Sequence, residues 1–145
     1  MTNHSKITRV AAVGDLHTLE SDKGKWELFF NLISQKADIL LLCGDLTDTG
    51  QAIEAQVLSE ELRSCSIPVV AVLGNHDYDR DLQHAIKNIL AKGNVTVLNG
   101  DFVVINNVGI AGIKGFGGGF NNALLPMFGE KILKEFVNET VHEVL

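Results

Sequence analysis

Gly14, Gly44 and Gly74 each close a short apolar run, and an amphipathic stretch separates each run from the next. The runs at residues 7–13, 39–43 and 69–73 are rich in β-branched residues and Leu, and they read as strands buried on both faces. Between the first two, Trp26, Phe29, Phe30 and Ile33 recur at helical spacing, as helix core rather than cofactor contacts. A second helix, from about residue 51 to 64, carries Ile53, Val57 and Leu58 inward. A third, from about 81 to 92, aligns Leu82, Ala85, Ile86, Ile89 and Leu90 on one face, with Gly93 at its C′ position. Strand–helix alternation in units of ~30 residues calls for right-handed crossovers and a parallel sheet. The expected fold class is therefore α/β with a βαβαβ parallel core.

Beyond Lys92 the pattern changes. Runs at 95–98, 102–105 and 108–113 are separated by Asn99-Gly100-Asp101 and Asn106-Asn107, and they predict an antiparallel meander flanking the core. The glycine-rich stretch 114–120 offers backbone N–H groups but carries only Lys114 and precedes no Walker pattern, so it reads as a connector. A last helix is expected from about residue 128 or 129, with Ile132, Leu133, Phe136, Val137, Val141 and Val144 in one stripe. It meets no stop signal before Leu145. Residues 1–145 thus read as one domain, truncated at its C-terminus, whose bare helix stripe and uncovered sheet invite self-association.

Charge narrows the partners. Eighteen Asp and Glu against twelve Lys and Arg leave a formal charge of −6, which gives no footprint for nucleic acid or an anionic membrane. The apolar runs are strand-sized, far below the ~20 residues of a membrane span. The N-terminus lacks the apolar core of a signal peptide, so the expected location is cytoplasmic. Two cysteines make no disulfide framework: Cys43 should be a buried strand residue, and Cys65 should lie at the far end of the following helix.

The three strand ends deliver polar side chains to one edge of the sheet: Asp15-Leu16-His17, Gly44-Asp45-Leu46-Thr47-Asp48 and Gly74-Asn75-His76-Asp77. In open α/β sheets that edge binds ligands. Carboxylate, imidazole and amide oxygen suit divalent ions of the Mn, Fe or Zn type, and the lack of thiolates argues against a structural zinc site. A carboxylate on the central loop can bridge two ions ~3.5–4 Å apart, the apparatus for in-line attack on phosphorus. Singly, each motif also has a plainer reading, as helix N-caps at Asp15 and Asp48 or a turn residue at Asp45.

Together, in order and at this spacing, the motifs resemble the calcineurin-like metallophosphoesterase family. The resemblance covers about residues 7–113. It implies the first half of a four-layer α/β/β/α sandwich and a metal-dependent phosphoesterase acting on mono- or diesters through two divalent ions. By the resemblance, Asp15 and His17 would hold the first metal, Asp45 would bridge both and Asn75 would hold the second. His76 would act on the scissile phosphate, with Asp77 orienting it and Asp48 supporting the loop. The family continues with a lone His on a later strand and a Gly-His-x-His segment, which His4, His84 and His142 do not match. The alternative is a catalytically incomplete metal- or phosphate-binding remnant of such an enzyme.

Overall fold

The computed structural model describes residues 7–114 and 131–144, with the side chains of the last helix described from Glu135 onward. Its elements are β1 (Val10–Val13), α1 (Glu27–Lys36), β2 (Ile39–Cys43), α2 (Ala52–Glu61), β3 (Val69–Val72), α3 (Gln83–Lys92), β4 (Val95–Val97), β5 (Asp101–Ile105), β6 (Val108–Gly112) and α4 (Lys131–Val144). Strands β1 to β4 form one parallel sheet in sequence order, while β5 and β6 form a separate antiparallel pair. The chain is mixed α/β, as the strand–helix alternation predicts.

Strand order explains the layering. Right-handed crossovers that always step the same way along a sheet must place every helix on one face. Phe30 of α1, Leu58 of α2, and Ile86 and Leu90 of α3 accordingly pack together on Leu40, Leu42, Val69 and Ala71. The alternate residues, Ile39 and Val70, face the other way, where Leu98 and the hairpin residues Val103, Ile105 and Ile110 cover them. The central strands are thus apolar at every position because both faces are covered.

Several sequence expectations need correction. β1 is an edge strand, and Val10 is 47% exposed rather than buried on both faces. β4 is not the first arm of a meander: α3 returns the chain to the starting edge, and β4 joins β3 in parallel as the fourth strand, through a third crossover of the same kind. Among the described residues only β5 and β6 are antiparallel, joined where Asn106 (φ 53°) and Asn107 (φ 63°) make the left-handed pair of a tight hairpin. Helix α2 stops at Glu61 and continues as a 3-10 turn, and Ile53 on it is exposed. Leu82 precedes α3 and is exposed. Asn94, not Gly93, takes the left-handed conformation after α3; a Cβ on Gly93 would instead collide with Ser59 Oγ. Cys43 is exposed at the end of β2 rather than buried, and both cysteines are free thiols.

The glycine-rich stretch beyond Lys114 and the start of the last helix lie outside the described residues. On α4, Val137 is buried while Phe136 and Val144 are exposed. No helix among the described residues is long and apolar enough to cross a membrane.

Candidate metal centre

Strands β1, β2 and β3 end at the same edge, and the chain keeps pairing beyond them. The Asp15 N–H donates to Gly44 O (3.1 Å), His17 to Asp45 O (3.0 Å) and Thr18 to Leu46 O (3.0 Å), and Asp48 donates back to Thr18 O (3.2 Å). Along this extension Asp15 (φ 54°), His17 (φ 45°) and Asp45 (φ 49°) adopt the left-handed conformation. Such conformations cost energy in non-glycine residues and gather at functional sites. Here all three residues are ones the sequence marks as metal ligands. The second and third loops meet because Gly44 (φ 92°) and Gly74 face each other. A Cβ on Gly44 would lie 3.1 Å from Gly74 Cα, and one on Gly74 would run into Asp45.

A fully buried carboxylate fastens those two loops. Asp77 accepts hydrogen bonds from the Leu46 N–H (3.2 Å), the Thr47 N–H (2.8 Å), the Thr47 hydroxyl (2.6 Å) and the Gly74 N–H (2.8 Å). Both oxygens are committed to the loops, and none of these bonds involves the His76 ring. The orienting contact expected of Asp77 is made elsewhere: His76 Nδ1 lies 2.6 Å from Asp48 O. A carbonyl can only accept, so Nδ1 carries the proton and Nε2 is left for a ligand or substrate.

The structure brings His17, Asp45 and His76 together, each offering one ligand atom within 4.8 Å of the others. The two imidazoles meet edge to face, with centroids 4.5 Å apart at 89°. The His76 N–H donates to Asp45 Oδ1 (3.0 Å), which ties the third loop to the second. His17 Nδ1 is buried without a hydrogen bond, although Asp48 Oδ1 is 3.3 Å away. That contact lacks hydrogen-bond geometry and leaves the nitrogen unsatisfied. One carboxylate and two imidazoles with ligand atoms this close fit a divalent ion. The hydrogen bond to Asp48 O, then the carboxylates of Asp45, Asp79 and Asp48, hold the His76 pKa above the ordinary histidine value; partial burial opposes them.

Asp15 and Asn75 sit at the same strand ends but are exposed, and Asp15 lies outside the close group. Neither Asp15 nor Asp48 caps a helix: α2 has Gln51 at its N-cap. The sequence reading missed how fully Asp77 serves the loops and missed the Asp48 carbonyl, since a backbone acceptor leaves no mark in a sequence. It also missed Lys114, which is buried beside Tyr78, because a single lysine before a glycine-rich stretch reads as solvated. Tyr78 packs locally beneath it. His84 and His142 are exposed, and His4 lies outside the described residues.

A search of curated proteins finds no match. The model of the calcineurin-like phosphoesterase family matches residues 8–142, which spans all three strand-end loops and reaches into α4. With nearly the whole chain matched and its motif residues converging at one sheet edge, the chain belongs to the calcineurin-like phosphoesterase family.

Proposed function

We propose that the chain is a phosphoesterase domain that hydrolyses phosphate mono- or diesters with two divalent ions of the Mn, Fe or Zn type. The observation that carries this reading is the convergence of His17, Asp45 and His76 at one sheet edge, each with a ligand atom within 4.8 Å of the others. Asp15 and His17 would hold one ion, Asp45 would bridge, and Asn75 would contribute to the other. When bound, such ions neutralise charge on the phosphoryl oxygens and acidify water.

The chain's own residues supply the rest. Asp48 O fixes the proton on His76 Nδ1, so protonated His76 presents its Nε2–H toward a leaving oxygen and can give up that proton. Asp77 acts as a positioning residue, holding the 44–47 and 74–77 loops in register. The phosphate ester is the only partner this chemistry requires. The free thiols favour a reducing, cytoplasmic setting.

The test is manganese-dependent hydrolysis of bis(p-nitrophenyl) phosphate and p-nitrophenyl phosphate by the full chain, with Asp45→Asn alongside. Turnover that requires metal and is lost in the variant supports the reading. Absence of turnover by the folded, metal-loaded protein contradicts it. A second reading comes from the close placement of His76: as a ligand rather than an acid, it would leave a metal- or phosphate-binding module without turnover. In the first reading His76→Ala keeps metal and loses turnover; in the second it loses metal.

A further inference from the structure

Lys114 follows β6 and is only 8% exposed, an unusual environment for an ammonium. Its Nζ lies over the Tyr78 ring, 4.8 Å from the centroid, and 3.7 Å and 3.8 Å from Glu139 Oε1 and Glu143 Oε1. The two glutamates are four residues apart on α4 and so share one face of that helix. Tyr78 closes the 3-10 turn His76–Tyr78, and its N–H donates to Asn75 O (3.1 Å). Asp77, within the same turn, accepts three bonds from the second loop and one from Gly74 of its own loop. A contiguous path of contacts therefore runs from α4 through Lys114 and Tyr78 to the turn that carries His76.

Lys114 is poorly placed to bind phosphate itself, because it is buried and already faces two carboxylates. A buried charge of this kind is maintained only by its partners. We propose that Lys114 is a positioning residue for the candidate centre: clamped by Glu139 and Glu143 of α4 against Tyr78, it fixes the His76–Tyr78 turn and with it the His76 imidazole. The proposal deepens the phosphoesterase reading and rests on it for its catalytic consequence. Coupling of this sort travels through packed contacts with defined partners, and a small displacement of an acid from its leaving group costs rate rather than binding.

The experiment compares Lys114→Met, Lys114→Arg and the double variant Glu139→Gln/Glu143→Gln in the full chain. It reads manganese-dependent turnover and the 1H–15N signals of His76 and Asp77 in the metal-free protein. Lys114→Met keeps the stem without the charge, and it should lower kcat by about tenfold or more while KM stays within about twofold. It should also displace the His76 and Asp77 signals. Lys114→Arg should restore both readouts, since a guanidinium also pairs with carboxylates and stacks on aromatic rings. A folded Lys114→Met protein with unmoved His76 signals and unchanged kcat overturns the proposal. Should that variant fail to fold, the double glutamine variant decides: displaced His76 signals support the proposal and unmoved signals overturn it. The signals need no turnover, so an inactive wild-type chain would sink the phosphoesterase reading and leave the role of Lys114 to be decided by the signals alone.

Discussion

Asp77 shows how one side chain can hold a site without touching its chemistry. Its carboxylate accepts four bonds from loop donors, and an amide would turn one acceptor into a donor facing N–H groups. Asp77→Asn should therefore cost about 3 kcal/mol, measured by urea unfolding, on the usual scale for buried bonds to a charged group. A loss below about 0.5 kcal/mol, the level of an ordinary surface change, would contradict that account. His76 carries a pH signature. Its pKa is raised in the folded chain, first by the bond to Asp48 O, so its stabilising contribution is fully present below the ordinary histidine value. That contribution is lost as pH rises through the folded value. In the metal-free protein its ring protons should titrate above the ordinary value, and a midpoint at or below it would remove the Asp48 O contact from the account. The sequence marked Asp15, His17, Asp45, Asn75 and His76 as candidates because polar residues just past apolar runs stand out, and of these the structure gathers His17, Asp45 and His76. It hid Asp48 O and Lys114, whose roles depend on a backbone acceptor and on burial by a distant helix.

At the level of elements, α2 shows what periodicity overlooks. Glu54 and Glu61, two helical turns apart, are both buried on it. Glu54 accepts from the Thr49 N–H (3.0 Å), the Thr49 hydroxyl (2.8 Å) and the Gln51 N–H (3.1 Å), closing the end of the loop after β2 onto the helix start. Glu61 accepts from the Gly24 N–H (2.6 Å) and the Trp26 N–H (2.8 Å), satisfying donors at the start of α1. A charge pattern alone places these glutamates in solvent, because burial is favourable only once loops from elsewhere bring donors. Glu54→Ala and Glu61→Ala should each cost about 2 kcal/mol in urea, more than an exposed helix glutamate would. Equal costs for Glu54→Ala and for the partly exposed Glu60→Ala would contradict this. The parallel core itself was legible, since ~30-residue spacing admits few alternatives. β4 was misread because three alternating residues fit either sheet, and only the crossover through α3 decides between them.

For the molecule as a whole, three parallel strands converge on one edge, and the loops there are hydrogen-bonded to one another. The hairpin covers one sheet face and leaves Phe102 (72% exposed) and Val104 (60%) on its outer side. Phe102→Ser with Val104→Thr should preserve the fold and reduce any concentration-dependent association in sedimentation; unchanged association would place it elsewhere. Metal should stabilise the folded chain by mass action, by about 2.7 kcal/mol at a hundredfold excess over Kd, and EDTA should remove the gain. The most direct measurement is a Mn2+ titration of the metal-free chain followed by 1H–15N spectra, with Asp45→Asn in parallel. The amide signals of His17, Asp45 and His76 should broaden together at sub-stoichiometric metal, and Asp45→Asn should abolish that effect. Broadening confined to surface acids such as Glu20 and Glu60, or unaltered by Asp45→Asn, would contradict a metal centre at these strand ends.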